Sequence, residues 1–123
     1  MRIASYNCRS IKSNIHCVKE LCERYDIICL QETWLPVQEL GYLGTVNKNF
    51  SFYGSSKLDL SRELIRGRPY GGMAFLYNKS LADSVSRVET DDDRLLCIDV
   101  KIDSLSMRII SCYTYHITIM KIL

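Results

Sequence analysis

Two polar side chains that can bind a metal ion close the first two apolar runs of the sequence. Asn7 ends the run over residues 2–7, and Glu32 follows the run over residues 26–31. Apolar residues recur at spacings of three and four over residues 13–25, which predicts a helix and therefore a β-α-β opening. Because ligand sites in α/β folds form at the carboxyl ends of strands, Asn7 and Glu32 are expected to lie side by side at one sheet edge. This placement favours a hydrolytic active site.

The rest of the chain reads mainly as strands, and the whole pattern predicts an α+β fold with a mixed sheet. Alternation of apolar and polar residues over 96–102 is typical of a strand with one buried face. A turn over residues 103–106 suggests a hairpin with a last strand over 107–115, and residues 117–123 read as an apolar tail. The other predicted segments are strands over 50–54, 73–77 and 84–89, a loop or short helix over 33–49, and a surface loop over 55–70.

Composition argues against several functional classes. The chain has 123 residues, of which 47% are hydrophobic and 24% charged, as expected for one globular domain. Its net charge of +2 is too small to indicate nucleic-acid binding by itself. No apolar run reaches the roughly 20 residues that span a bilayer. No secretory leader precedes the first strand, so a cytoplasmic or nuclear location without membrane association is expected.

The cysteines indicate buried thiols. Six cysteines and two histidines are present, but the sequence contains no C-x-x-C pair, so a zinc site is not expected. Cys29, Cys97 and Cys112 lie inside apolar runs. They are predicted to be small buried side chains in a reducing compartment.

Five groups of residues, in order and at consistent spacing, carry a family resemblance. They are residues 5–9 (S-Y-N-C-R), 26–35 (D-I-I-C-L-Q-E-T-W-L), 67–76 (G-R-P-Y-G-G-M-A-F-L), Arg94, and 109–113 (I-I-S-C-Y). Together they resemble the endonuclease/exonuclease/phosphatase superfamily over residues 2–115. The Q-E-T-W-L and G-R-P-Y-G-G runs are most similar to the endonuclease domain encoded by non-LTR (LINE-type) retrotransposons.

The resemblance implies a four-layer α/β sandwich that cleaves phosphodiester bonds in DNA with Mg²⁺ or Mn²⁺. It identifies Glu32 as the metal-ligating glutamate and Asn7 as the active-site asparagine beside it, within reach of the metal. Tyr113 corresponds to the tyrosine that contacts the scissile phosphate. The chemistry is consistent with these roles, since Mg²⁺ takes oxygen ligands and a tyrosine hydroxyl can hydrogen-bond a phosphate oxygen.

The family's pattern is incomplete in this sequence. Its second half supplies Asp-x-Asn and Ser-Asp-His motifs, and neither occurs here. The residues after Tyr113 also depart from the family's x-Pro-Asn, because they read Thr114-Tyr115-His116. Residues 1–116 are therefore expected to be the N-terminal portion of such a domain, a fragment with about half of the active site, and residues 117–123 a divergent tail.

A missing half has a structural consequence. In the family each half supplies most of one sheet, so half of the sandwich is expected to leave an apolar sheet face uncovered. Such a face favours self-association and aggregation. The expected melting temperature is below about 45 °C.

Two other functions stay open. The chain is alternatively a catalytically inactive remnant or an interaction module, because the second half of the site is missing. An inositol-phosphate or sphingolipid phosphatase-like domain is a further alternative, which the retroelement-like runs argue against.

Several polar residues have simpler interpretations than catalysis. Two interpretations stay open for three arginines, Arg62, Arg66 and Arg68: they contact phosphates, or they belong to a solvated loop. The run Asp91-Asp92-Asp93 is predicted to be a solvated turn. His116 is predicted to lie in the segment that departs from the family's pattern after Tyr113, and not to act as a general base. Gly71-Gly72 is predicted to let two backbones approach closely, since no phosphate-loop lysine follows it.

Overall fold

The computed structural model describes residues 1–61, 71–112 and 117–123 and contains eight strands and one α-helix within them. The elements are β1 (Ile3–Asn7), α1 (Ile15–Arg24), β2 (Ile27–Gln31), a 3₁₀ helix (Val37–Thr45), β3 (Phe50–Ser55), β4 (Met73–Asn78), a second 3₁₀ helix (Lys79–Leu81), β5 (Val85–Val88), β6 (Leu95–Ile102), β7 (Leu105–Cys112) and β8 (Ile117–Ile122). Two four-stranded sheets result, in the orders β1-β2-β4-β3 and β5-β6-β7-β8. None of the helices described is long and apolar enough to cross a membrane.

The first sheet is mixed, as predicted. β1 and β2 pair in parallel, and α1 makes the crossover between them. β4 is antiparallel to both of its neighbours, β2 and β3. Asn7 lies opposite Gln31, one residue before Glu32, so the two predicted site residues follow adjacent strand ends.

One face of the first sheet is covered by helices. Val18 and Cys22 of α1 are buried because apolar residues recur along one side of the helix. They join a core cluster with Ile28 and Leu30 of β2. Residues of the 3₁₀ helix complete this layer, in which Leu43 is buried.

The second sheet covers the other face of the first. Its strands are all antiparallel, and a tight turn at Asp103, with a φ of 54°, joins β6 to β7. The predicted alternation in β6 is confirmed, because Leu96, Ile98 and Val100 pack into the core between the sheets. Phe75 of β4 lies in the same core and is fully buried.

The C-terminal residues differ from the prediction of a last strand over 107–115 followed by a tail. β7 ends at Cys112, and Tyr115 lies outside the described residues. Residues 117–122 form β8, which pairs antiparallel with β7 and places Ile119 opposite Ile110. β7 offers this segment a row of backbone donors and acceptors, and its isoleucines and threonine favour extended structure.

The expectation of an uncovered apolar sheet face is wrong for the first sheet, because the second sheet packs on that face. The described residues include both sheets, and Ile109, at 0% exposure, shows that their common core is closed to water in its centre. The helical layer and the two sheets are three layers of the predicted sandwich. Uncovered apolar side chains are instead concentrated on β8, where Ile119, Met120 and Ile122 are exposed.

Candidate active site

The backbone after β2 leaves the strand in a conformation that is uncommon for residues with a side chain. Glu32 and Trp34 both have a φ of 56°, in the left-handed region. Backbone hydrogen bonds hold the segment from two sides. Ser10 donates to the carbonyl of Glu32 at 2.9 Å, and Trp34 donates to that of Gly71 at 2.8 Å. The strained backbone is therefore fixed by its neighbours, as is common at functional sites.

Hydrogen bonds orient the half-buried carboxylate of Glu32. Its Oε2 accepts a hydrogen bond of 2.6 Å from the indole Nε1 of Trp34. The same oxygen accepts a second one, of 3.2 Å, from the backbone N–H of Gly71. Donors from two separate segments therefore set the direction of the carboxylate at the end of β2.

Asn7 presents a buried oxygen that the protein does not satisfy. Among the described residues, its Oδ1 is shielded from water and has no hydrogen-bond partner. Thr33 Oγ1, in the residue after Glu32, is likewise buried and has no hydrogen-bond partner among the described residues. Buried polar atoms are almost always paired, so an unpaired oxygen at each of two adjacent strand ends is a candidate contact for a bound ligand.

These oxygens fit a hard divalent cation. A carboxylate and an amide oxygen at one sheet edge suit Mg²⁺, which uses one or two carboxylates together with water and phosphate oxygens. No group of three His, Cys, Asp or Glu side chains that could hold a metal occurs within the described ranges. A divalent cation held by these two oxygens would therefore need water or substrate oxygens to complete its coordination.

Gly71 and Gly72 bring a second segment against this edge, as predicted. Gly72 has a φ of +90°, and a Cβ there would lie 2.3 Å from Thr33 Oγ1. Thr33 donates a backbone hydrogen bond of 3.3 Å to the carbonyl of Gly72. Only glycine combines this backbone angle with this approach, so the pair positions the donor at Gly71.

A buried polar cluster, which the sequence analysis missed, lies next to the strand ends. The side-chain Nε2 of Gln31 is 3.1 Å from Ser5 Oγ, 3.3 Å from Thr118 Oγ1 and 3.5 Å from Ser111 Oγ. Gln31 is 1% exposed. The cluster links β1 and β2 to β7 and β8. Its signal in the sequence is a glutamine at the end of a continuous apolar run over residues 27–30.

Burial favours the neutral form of the buried thiols. Cys8 donates from Sγ to the carbonyl of Gln31 at 3.3 Å, and burial raises the pKa of its thiol to about 12. Burial likewise raises the pKa of the Cys29 and Cys97 thiols. These two side chains are buried as predicted, whereas Cys112 is only half-buried.

Several predicted residues lie outside the described residues, namely Tyr113, His116, Arg62, Arg66 and Arg68. The acidic run forms a turn, as predicted. Asp92 binds the guanidinium of Arg94 through contacts of 2.9 and 2.8 Å, and this contact lowers the pKa of Asp92 to about 2. Asp93 forms an exposed ion pair with Lys57 at 3.2 Å.

The fold is similar to that of several solved proteins. The 3′ phosphatase NExo from Neisseria, solved with a product DNA hairpin, is 20% identical over 92% of this chain and 41% of its own, with a TM-score of 0.58. An AP endonuclease from Archaeoglobus fulgidus is 22% identical over 92% of this chain and 40% of its own, with the same TM-score of 0.58. The catalytic domain of Xenopus laevis APE2 is 19% identical over 98% of this chain and 42% of its own, with a TM-score of 0.54.

The chain spans about two fifths of the length of these three proteins. No match was found among curated proteins. The family model for the Endonuclease/Exonuclease/phosphatase family matches residues 4–114. The chain therefore belongs to the Endonuclease/Exonuclease/phosphatase family.

Proposed function

We propose that this chain is part of a divalent-metal-dependent DNA endonuclease whose metal is held by Glu32 and Asn7. The supporting observation is the unpaired, buried Oδ1 of Asn7 beside the strained strand end that carries Glu32. The fold supports the same function, because NExo was solved with a product DNA hairpin.

Mg²⁺ or Mn²⁺ is the proposed cofactor. When bound, the cation would polarise a phosphoryl oxygen and stabilise the charge that develops on the leaving oxygen. The carboxylate of Glu32 would supply the anionic ligand and the amide oxygen of Asn7 a neutral one. Trp34 and Gly71 would keep the carboxylate in place through their hydrogen bonds at 2.6 and 3.2 Å.

Tyr113 is proposed to contact the scissile phosphate. It follows directly after Cys112, where β7 ends. The end of β7 approaches the end of β2, since Ser111 Oγ lies 3.5 Å from the side-chain nitrogen of Gln31. A hydroxyl near this point could donate a hydrogen bond to a phosphate oxygen.

The chain is further proposed to derive from a retrotransposon and to be the N-terminal portion, residues 1–116, of a longer domain. The Q-E-T-W-L run at 31–35 and the G-R-P-Y-G-G run at 67–72 support the origin. The share of about two fifths of each solved neighbour supports the incompleteness. Because the chain matches only about two fifths of each neighbour, a second candidate is an inactive remnant or interaction module that binds metal but does not cleave DNA.

A plasmid-nicking assay with Mg²⁺ separates these functions. The active enzyme is expected to convert supercoiled plasmid to the nicked form, to stop with EDTA, and to lose at least about 100-fold in rate in Glu32→Ala. Glu23→Ala, which removes an exposed carboxylate from α1, is the matched control and should nick like the parent. A folded protein that does not nick would support the inactive remnant. Nicking unchanged in Glu32→Ala would contradict the site.

A further inference from the structure

On one side of the sandwich, the outermost strand of each sheet has an edge that pairs with no other described strand. Among the described residues, β1 is the outer strand of the first sheet and β8 that of the second. Ser5 Oγ of β1 and Thr118 Oγ1 of β8 are 2.8 Å apart and share a hydrogen bond. The two edges therefore lie one above the other, and together we call β1 and β8 the open edge.

Apolar side chains of the open edge are left exposed. Met120 is 60% and Ile122 73% exposed, although each lies opposite a residue of β7, Ile109 or Met107, that packs into the inter-sheet core. Opposite residues in an antiparallel pair point to the same face, so these two side chains extend that core beyond the first sheet.

Among the described residues, the other side of the sandwich lacks such a surface. The large hydrophobic side chains that are exposed in described strands belong to β8, apart from Leu105 of β7. None belongs to β3 or β5, which are the outer strands on the opposite side. The uncovered apolar surface is therefore specific to the open edge.

Charge does not protect the open edge from pairing. β1 contains no charged residue, and Lys121 is the only one in β8. Edge strands of monomeric proteins usually carry charges, prolines or bulges that prevent pairing with another chain. Two edge strands with a single charge between them, and with exposed isoleucine and methionine on β8, are instead suited to pairing with further strands.

We propose that the open edge binds the open edge of a second copy of this chain. A two-fold axis perpendicular to the sheets places β1 antiparallel to β1 of the second copy, and the same rotation places β8 antiparallel to its own copy. One symmetry operation therefore extends both sheets and covers Met120 and Ile122. A partner that offers a single strand would extend only one sheet.

Size and charge agree with this occupant. The matched residues of this chain cover 41% of the NExo chain, so two copies approach the length of one such protein. Self-pairing brings no rows of like charges together, because each copy contributes only Lys121. The proposal does not depend on the chemistry of the metal site.

Sedimentation-velocity measurements over the micromolar range test the proposal. The parent chain, of 14.2 kDa, is expected to sediment as a dimer. The double variant Met120→Lys with Ile122→Lys should raise the dimer dissociation constant by at least about 100-fold, since it places ammonium groups in an apolar contact. Both positions are exposed, so far-UV circular dichroism should show an unchanged fold.

Val37→Lys is the matched control. Val37 is 44% exposed and lies in the 3₁₀ helix on the far side of the first sheet, so this variant should remain dimeric. A parent chain that stays monomeric would overturn the proposal and leave the open edge to a different polypeptide. A double variant that still dimerises, or dimer loss in Val37→Lys as well, would also overturn it.

Discussion

The indole N–H of Trp34 donates a hydrogen bond of 2.6 Å to the carboxylate of Glu32, two residues earlier in the chain. Both residues have a φ of 56°, so the backbone between β2 and the next segment turns twice through the left-handed region. This turn brings the indole back over the carboxylate. The strained backbone orients a charged side chain at the sheet edge where the unpaired oxygen of Asn7 is buried.

Trp34→Phe is expected to weaken metal binding without unfolding the protein. The variant keeps an aromatic ring and removes only the donor to Glu32, a charge-assisted hydrogen bond of about 1.5–3 kcal/mol. A looser carboxylate should raise the dissociation constant for Mn²⁺ by about tenfold. Electron paramagnetic resonance of free Mn²⁺ measures this, with Tyr25→Phe as the control. An unchanged affinity would show that the indole does not orient the ligand.

Gly72→Ala is expected to destabilise the fold by about 2–4 kcal/mol, because it combines a strained backbone with a steric clash. The added Cβ would lie 2.3 Å from Thr33 Oγ1, at a φ of +90°. Gly41→Ala provides a control, since no atom lies within 4 Å of a Cβ at that position. Chemical denaturation of both variants checks the prediction. Equal stabilities would mean that the contact with Thr33 relaxes without cost.

Gln31→Leu is expected to cost about 1–3 kcal/mol of stability, because it leaves the buried hydroxyl of Ser111 without its glutamine partner. The glutamine nitrogen lies within 3.5 Å of Ser5, Ser111 and Thr118, in a buried position between the sheets. Gln38→Leu removes a glutamine that is exposed and should cost less. Thermal unfolding followed by circular dichroism compares the two. A stabilised Gln31→Leu protein would show that the polar cluster is not required.

Stability is expected to fall in alkaline solution because buried thiols resist ionisation. The thiol pKa rises from 9.0 to about 12 at Cys8 and to about 11 at Cys22, in both cases mainly through burial. The unfolded chain loses these protons first, so the stabilisation present below pH 9 is lost as the pH rises towards the folded values.

Urea denaturation between about pH 8 and about pH 11 measures this slope. Cys22→Ala should flatten the decline, whereas Cys17→Ala, at an exposed position, should leave it unchanged. A decline of the same steepness in all three proteins would assign the alkaline loss to other groups.

The sequence predicted those elements whose pattern is local. The β-α-β opening followed from two apolar runs around an amphipathic stretch, and β6 followed from strict alternation of its residues. β8 was missed because residues 117–123 have no polar alternation, and their pairing with β7 is a tertiary contact. The expectation of an uncovered sheet face failed for the same reason, since the packing of the second sheet on the first is a tertiary contact that short-range patterns do not fix.

The candidate site was predictable only in part. Asn7 and Glu32 could be placed because each follows the end of an apolar strand. The donors that orient Glu32 could not, since Gly71 is 39 residues away and Trp34 depends on an unusual backbone angle. Gln31 has contacts up to 87 residues away, which only the packing of two sheets creates.

The central claim is that Asn7 and Glu32 bind the same divalent cation. A double-mutant cycle with Mn²⁺ tests it directly, using the parent chain, Asn7→Ala, Glu32→Gln and the double variant. Glu32→Gln retains an oxygen that can accept from Trp34 and Gly71, and Glu23→Gln controls for the lost charge. If both residues bind one ion, Glu32→Gln should weaken binding by at least about tenfold, and Asn7→Ala should add little to that loss. Independent, additive losses, or Mn²⁺ binding that neither substitution changes, would contradict the site.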